Sequence, residues 1–101
     1  MRTSILAVAL AVAAPGLAQA QSADPDFGRN IAAACANCHG TNGVSKGGTN
    51  SLAGQPKAEL ARKMQDYKAG RLAGTIMPQL AKGYSDQEID ILAGWFAAQK
   101  P

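Results

Sequence analysis

The run Cys35-Ala36-Asn37-Cys38-His39 constrains this chain of 101 residues more than any other feature of its sequence. Two thiols three positions apart, followed at once by an imidazole, form the pattern of a c-type haem attachment site. On a helix, residues three and four positions apart share a face, so Cys35 and Cys38 can both reach the vinyl groups of one porphyrin. His39 would then point its ring at the iron. The run therefore predicts one covalently bound haem c.

Three other uses of these side chains fit the sequence less well. A structural zinc site usually needs four protein ligands, and the chain contains two Cys and one His in total. A thiol-disulfide oxidoreductase places Cys-x-x-Cys at the start of a helix beside a βαβ pattern, and the sequence has no strand pattern. A disulfide across two residues would close too small a loop to add much stability. Haem attachment is the preferred interpretation.

The first twenty residues have the pattern of a secretory signal peptide. Arg2 precedes an apolar run, and Ala18-Gln19-Ala20 is a small-residue cleavage site. The alternative, a membrane anchor, is disfavoured because the apolar run is short and a Pro-Gly pair interrupts it. We expect residues 1–20 to be removed on export. Residues 21–101 would then form a single domain in the periplasm, with no membrane span left after cleavage.

The charge balance gives no case for nucleic-acid binding. Ten Lys or Arg stand against seven Asp or Glu, for a formal net charge of +3, and loss of Arg2 with the signal peptide lowers it by one. No basic stripe alternates with aromatic residues, as a nucleic-acid-binding surface would require. The basic residues of the second predicted helix are expected to form a solvated face: Lys57, Arg62, Lys63 and Lys68.

Three helical segments separated by glycine-bearing loops are predicted in residues 21–101, which makes the fold class all-α. The first helix would be capped by Asp24 and would carry Gly28 on its face. The second would extend over residues 56–70. The third would begin at a capping box, Ser85-Asp86-Gln87-Glu88. Gly28 and Gly94 are the predicted points of close approach between the first and last helices.

The sixth position on the iron decides the chemistry, because an open position takes up small ligands and a second protein ligand favours electron transfer. The chain has no second histidine, so the candidates after cleavage are Met64 and Met77. Met64 falls in the apolar stripe of the second helix, where methionine is more often core packing. Met77 falls between two predicted helices and can reach the far face of the haem. We predict Met77 as the ligand opposite His39; the alternative is an open haem over which Met77 only fills space.

With these residues placed, the chain resembles class I cytochromes c over nearly its whole mature length. An attachment motif near the mature N-terminus, a later loop methionine and a closing helix with aromatics follow the class I order. Leu52-Ala53-Gly54-Gln55-Pro56 and Gly70-Arg71 are similar to the cytochrome c4 group. Thr75-Ile76-Met77, followed by Ala81-Lys82-Gly83-Tyr84-Ser85, is similar to the haem subunit of flavocytochrome c sulfide dehydrogenase.

The resemblance implies a class I cytochrome c fold, with three to four helices around one covalently bound haem. Cys35 and Cys38 would form the thioether bonds, and His39 and Met77 would be the axial ligands. Many relatives have a proline whose carbonyl accepts a hydrogen bond from the second ring nitrogen of the axial histidine, and Asn50 occupies that position here. Because any residue has a carbonyl, the bond can form with asparagine as well.

For function, the resemblance implies an electron carrier rather than an enzyme. It would accept electrons from a flavoprotein sulfide dehydrogenase, and the resemblance extends to the haem subunit of such a complex. The alternatives are a free diffusible shuttle to an oxidase or reductase, and a haem-based ligand binder or peroxidase. Electrons would pass through an exposed haem edge. The candidates for contacting the haem propionates are Tyr67, Arg71, Lys82 and Tyr84.

Overall fold

The computed structural model describes Ala9, residues 11–12 and residues 24–101. The predicted signal peptide and its cleavage site therefore lie outside the described residues, apart from Ala9, Ala11 and Val12. Five α-helices follow one another in residues 24–101: α1 (Phe27–Ala32), α2 (Ala36–His39), α3 (Lys57–Lys68), α4 (Met77–Ala81) and α5 (Asp86–Ala97). Two short 3₁₀ helices, Ala33–Cys35 and Thr41–Gly43, flank α2. The predicted all-α class is confirmed, since this part of the chain contains no strand.

None of the helices described is long and apolar enough to cross a membrane. The helices instead pack on one another through short apolar faces, as expected for a small domain.

The first helical run is less regular than the sequence predicts. It changes from α-helix to 3₁₀ helix at Ala33 and back at Ala36, while the backbone stays in the right-handed helical region. By its hydrogen bonds α1 begins at Phe27, later than predicted, although the Asp24 carboxylate still accepts a hydrogen bond from the Asp26 backbone N–H at 2.8 Å. The run ends at Gly40, whose φ of +83° favours glycine. His39 is therefore the last helical residue before a loop.

Helix α1 crosses α5 at Gly28. A Cβ atom at this position would lie 3.3 Å from Trp95 Cβ and 3.4 Å from Ile91 Cγ2. The predicted close approach is confirmed at Gly28 and is wrong at Gly94, where a Cβ would instead meet Lys57 Cε of α3 at 3.5 Å. Gly94 precedes Trp95 by one residue and so points about 100° away from it around the helix.

The capping box at the start of α5 is confirmed. Ser85 Oγ accepts a hydrogen bond from the Glu88 backbone N–H at 3.1 Å, and the Glu88 carboxylate accepts one from the Ser85 backbone N–H at 3.0 Å. The helix continues with a face that supplies most of the core. The main core cluster joins α1, α3 and α5 through Ala32, Leu60, Leu92, Ala93 and Phe96. Two of these five residues are alanines, so this core alone is small.

Helix α3 matches its predicted extent to within two residues at each end, with Pro56 immediately before its first residue. The segment that follows differs from the prediction. Met77 is not in an irregular loop but begins α4, with Pro78 as the second residue. Proline fits the first turn of a helix because no partner is needed there for the missing N–H. If residues 27–39 are counted as one helical run, four helices surround the site, within the predicted three to four.

Candidate haem-binding site

A cavity of about 430 Å³ lies beside the core and is lined by residues from the first 3₁₀ helix, α2, α3, α4 and three loops; we call it the main cavity. Its volume lies within the ~300–1,000 Å³ typical of cofactor and ligand sites. All four predicted site residues line it: Cys35, Cys38, His39 and Met77. A smaller adjoining space of about 110 Å³, the side cavity, shares three of these residues and reaches the core at Leu92 and Phe96. The structure thus brings the predicted residues together around one apolar-lined space.

The orientation of His39 is set by one short hydrogen bond. Its Nδ1 lies 2.6 Å from the carbonyl oxygen of Asn50. A carbonyl can only accept, so Nδ1 carries the proton and Nε2 keeps its lone pair available for a metal. This is the hydrogen bond that the resemblance implies, formed with Asn50 in the position that proline occupies in many relatives. A ligating histidine held by its other nitrogen has a fixed ring orientation and a more basic donor atom.

The loop that presents the Asn50 carbonyl is closed by backbone hydrogen bonds. The carbonyl of Gly43 accepts from the N–H groups of Leu52 at 2.8 Å and Ala53 at 3.1 Å. Gly43 has a φ of +78°, and a Cβ there would lie 2.8 Å from Phe96 Cδ1. Only glycine fits this position without displacing the core. The anchoring of His39 therefore depends on contacts that reach α5.

The two cysteines differ in their surroundings. Cys35 is partly buried and packs against the core, whereas Cys38 is exposed. Burial raises the pKa of the Cys35 thiol. A disulfide oxidoreductase requires the opposite shift, because its attacking thiol acts as the thiolate. The environment of Cys35 therefore disfavours that alternative and is compatible with a thiol that becomes a thioether against an apolar plate.

Both candidate methionines line the two cavities, but their environments differ. Met64 packs against the main core cluster from α3. Met77 is not among the described side chains that pack on this cluster, and it stands at the first residue of α4. Met64 thus has a packing role that accounts for its position. Met77 lines both cavities without belonging to that packed cluster.

The family model described as "Cytochrome C oxidase, cbb3-type, subunit III" matches residues 23–96. The chain belongs to this cytochrome c family. Membership gives it the class I all-α fold and indicates a covalently bound haem c, the group through which cytochromes of this family transfer electrons.

This cytochrome is similar to curated proteins with several names. Cytochrome c4 of Azotobacter vinelandii is 34% identical over 100% of this chain and 52% of its own length. The cytochrome subunit of sulfide dehydrogenase from Chlorobaculum tepidum is 35% identical over 68% of this chain and 63% of its own length. The thiosulfate dehydrogenase electron acceptor of Stutzerimonas stutzeri is 35% identical over 79% of this chain and 41% of its own length. The predicted similarity to the first two groups is confirmed, and this cytochrome spans about half to two thirds of the length of such relatives.

The structure divides the four candidate propionate contacts into two pairs. Tyr67 and Tyr84 line the main cavity, whereas Arg71 and Lys82 are not among its lining residues. Arg71 Nε instead lies 2.9 Å from Asp66 Oδ1. The Tyr84 hydroxyl donates to the carbonyl of Ile31 at 3.4 Å, and burial raises the pKa of Tyr84.

Two polar residues at the site were missed from the sequence. Gln55 and Lys63 both line the side cavity. Lys63 is exposed, as expected for the solvated face of α3, and the one sequence signal for its place at the side cavity is that it immediately precedes Met64. Gln55 lies within the Leu52–Pro56 stretch that carries the cytochrome c4 similarity, and its side-chain amide donates to the Ser51 carbonyl.

Proposed function

We propose that this cytochrome is a periplasmic electron carrier in which Cys35 and Cys38 hold one haem covalently and His39 and Met77 are its axial ligands. The observation that carries the proposal is the hydrogen bond from His39 Nδ1 to the Asn50 carbonyl at 2.6 Å, at the wall of a cavity that the other three residues share. Because Nδ1 carries the ring proton in this hydrogen bond, the lone pair of Nε2 is available to bind iron.

A bound haem c supplies a one-electron ferric–ferrous couple. The role of the chain is to hold the coordination constant, with His39 fixed through Asn50 and Met77 placed at the start of α4. A thioether is a soft donor that raises the haem potential relative to a second nitrogen ligand. Leu92 and Phe96, which are buried, close the inner end of the side cavity against water. One electron enters from a donor protein and leaves to an acceptor, and no substrate bond is made or broken.

The proposed route for the electron is the mouth of the main cavity. Ile76 and Leu80 line this cavity and are 56% and 48% exposed, and Cys38 is exposed as well. A haem bonded to Cys38 would therefore have an edge close to the surface. Transfer to a partner over this edge needs no opening of the core.

Carbon monoxide tests the ligation and separates the carrier from a ligand binder or peroxidase. The reduced holoprotein should show a spectrum that the gas leaves unchanged, because both axial positions are filled. Replacing Met77 with Ala should make the reduced protein bind carbon monoxide, lower its potential and leave the covalent attachment intact. Met64→Leu is the matched control and should remain indifferent to the gas. Rapid, complete binding by the unaltered protein at neutral pH would exclude Met77 as ligand.

As the electron donor we propose a flavoprotein sulfide dehydrogenase. The support is the 35% identity to the cytochrome subunit of a sulfide dehydrogenase and the resemblance of Ala81–Ser85 found in the sequence analysis. The thiosulfate dehydrogenase electron acceptor, also 35% identical, favours the second candidate, a free diffusible shuttle. Purification from the native host at low and then high salt distinguishes them. A flavin-containing polypeptide in fixed proportion would support the sulfide dehydrogenase, and the cytochrome alone at both salt concentrations would support the shuttle.

Export to the periplasm rests on the pattern of residues 1–20. Mass spectrometry of the native holoprotein should give a chain that begins at Gln21 and carries one haem, recovered in the periplasmic fraction. Recovery of an uncleaved chain, or of one in the cytoplasmic fraction, would contradict this part of the proposal.

A further inference from the structure

Lys63 occupies a position that separates it from the other basic residues of the domain. Among the described residues it is the one Lys or Arg side chain that lines either the main cavity or the side cavity. It is exposed, so the cavity does not enclose the whole side chain. Gln55, Met64 and Tyr67 line the same side cavity.

The other basic residues of α3 already have acidic partners. Lys57 Nζ lies 3.1 Å from Asp90 Oδ2 and Lys68 Nζ lies 3.0 Å from Asp86 Oδ1. The guanidinium of Arg62 bridges two carboxylates of its own helix, Glu59 and Asp66, at 2.9 and 3.1 Å. No ion pair involves Lys63 within the part of the chain that the structure describes. Glu59, one turn before it, accepts a hydrogen bond from Arg62, which lowers the pKa of Glu59, and the charge of Lys63 adds a smaller effect in the same direction.

A haem brings two carboxylates to a space whose walls are largely apolar. An ionised carboxylate next to such walls is costly unless a cation or hydrogen-bond donors compensate. Because Lys63 is the basic side chain that lines the side cavity, we propose that it neutralises a haem propionate at the rim of this cavity and so helps to set the reduction potential. Tyr67, four residues later on the same face of α3, and Gln55 supply hydrogen-bond donors beside it. This inference rests on the proposed haem site.

The sign of the effect on the potential follows from electrostatics. A positive charge near the haem disfavours the more positive ferric state and therefore raises the potential. Without Lys63 the propionate would be an unpaired negative charge at high pH and a neutral acid at low pH. The remaining titratable groups that line the two cavities are the ligand His39, the two cysteines, which become thioethers, and two tyrosines. The propionate is the group whose change of charge the pH test follows.

The test is a redox titration of the purified holoprotein as a function of pH. Lys63→Gln should have a lower potential than the unaltered protein at about pH 8, and the difference should shrink towards zero at about pH 5, as the unpaired propionate takes up a proton. Lys63→Arg, which keeps the charge, should restore most of the potential and its weak pH dependence.

Lys82→Gln is the matched control, because it removes the same charge from an exposed lysine that is not among the lining residues of either cavity. It should shift the potential much less than Lys63→Gln, and by the same amount at every pH. Equal shifts for Lys63→Gln and Lys82→Gln, or a shift of Lys63→Gln that does not vary with pH, would overturn the proposal. Failure of the haem site itself would be seen separately, as a purified unaltered protein without covalent haem by mass spectrometry.

Discussion

The crossing of α1 over α5 makes a quantitative prediction at Gly28. A Cβ atom added here would lie 3.3 Å from Trp95 Cβ and 3.4 Å from both Trp95 Cδ1 and Ile91 Cγ2. An alanine therefore fits only if the helices separate by a few tenths of an ångström. Its higher helix propensity, up to about 1 kcal/mol, offsets that strain. We expect Gly28→Ala to change the free energy of unfolding by less than about 1 kcal/mol.

Leucine at the same position adds three further carbons to a contact that is already closed. Overpacking of this kind costs about 1–3 kcal/mol, and a separation of α1 from α5 also loosens the contacts of Ala32 with the core. We expect Gly28→Leu to lower the free energy of unfolding by about 2 kcal/mol. For a domain of this size that corresponds to a decrease in Tm of about 10 °C.

Thermal unfolding of the holoprotein, followed by far-ultraviolet circular dichroism, measures this effect. Gly47→Leu is the matched control, because a Cβ at Gly47 would have no heavy atom within 4 Å. It should leave Tm nearly unchanged. If Gly28→Leu melts at the same temperature as Gly47→Leu, α1 and α5 do not cross at Gly28 and the packing described here is wrong.

Three further predictions concern α5 and its contacts. Ser85→Ala should cost about 1 kcal/mol of stability by removing the cap. The Ser85 backbone N–H holds the pKa of Glu88 below its ordinary value of 4.5. The stability that this carboxylate contributes is therefore present above that ordinary value and is lost as the pH falls through the lower folded pKa, which an acid unfolding series of the unaltered protein would show. Lys68→Gln should raise the pKa of Asp86, because the hydrogen bond from Lys68 lowers it. NMR titration of the Asp86 side chain measures this pKa, and a midpoint that the substitution leaves unchanged would contradict the ion pair. Phe96→Ala, at a side chain only 2% exposed, should cost about 3–5 kcal/mol in denaturant unfolding, and a loss below about 1 kcal/mol would mean that Phe96 is not part of the core.

The features predicted correctly from the sequence are those encoded by neighbouring residues. The capping box at Ser85 depends on residues three positions apart, and the pattern from Cys35 to His39 on a single helical turn. Both patterns therefore determine local geometry without knowledge of the rest of the fold. The contact at Gly28 was also accessible, because a glycine in an apolar helical stripe is a common point of close approach.

The features missed depend on tertiary arrangement or on elements too short to show periodicity. Gly94 was misplaced because sequence periodicity does not say which of two neighbouring faces of α5 meets α1 and which meets α3. The helix at Met77 has five residues, fewer than two turns, so no repeat of apolar positions marks it. The place of Lys63 was missed because an exposed lysine on a helix does not indicate which loop residues, here Asn50 and Gln55, line the same cavity.

The central claim, a haem held between His39 and Met77, is tested most directly by proton NMR of the reduced holoprotein. The ring current of a porphyrin shifts a methyl group held over the iron far upfield, so the methionine that ligates has a signal separate from all others. We predict such a signal in the unaltered protein and in Met64→Leu, and its loss in Met77→Ala. Its loss in Met64→Leu, or its persistence in Met77→Ala, would show that Met77 is not the ligand.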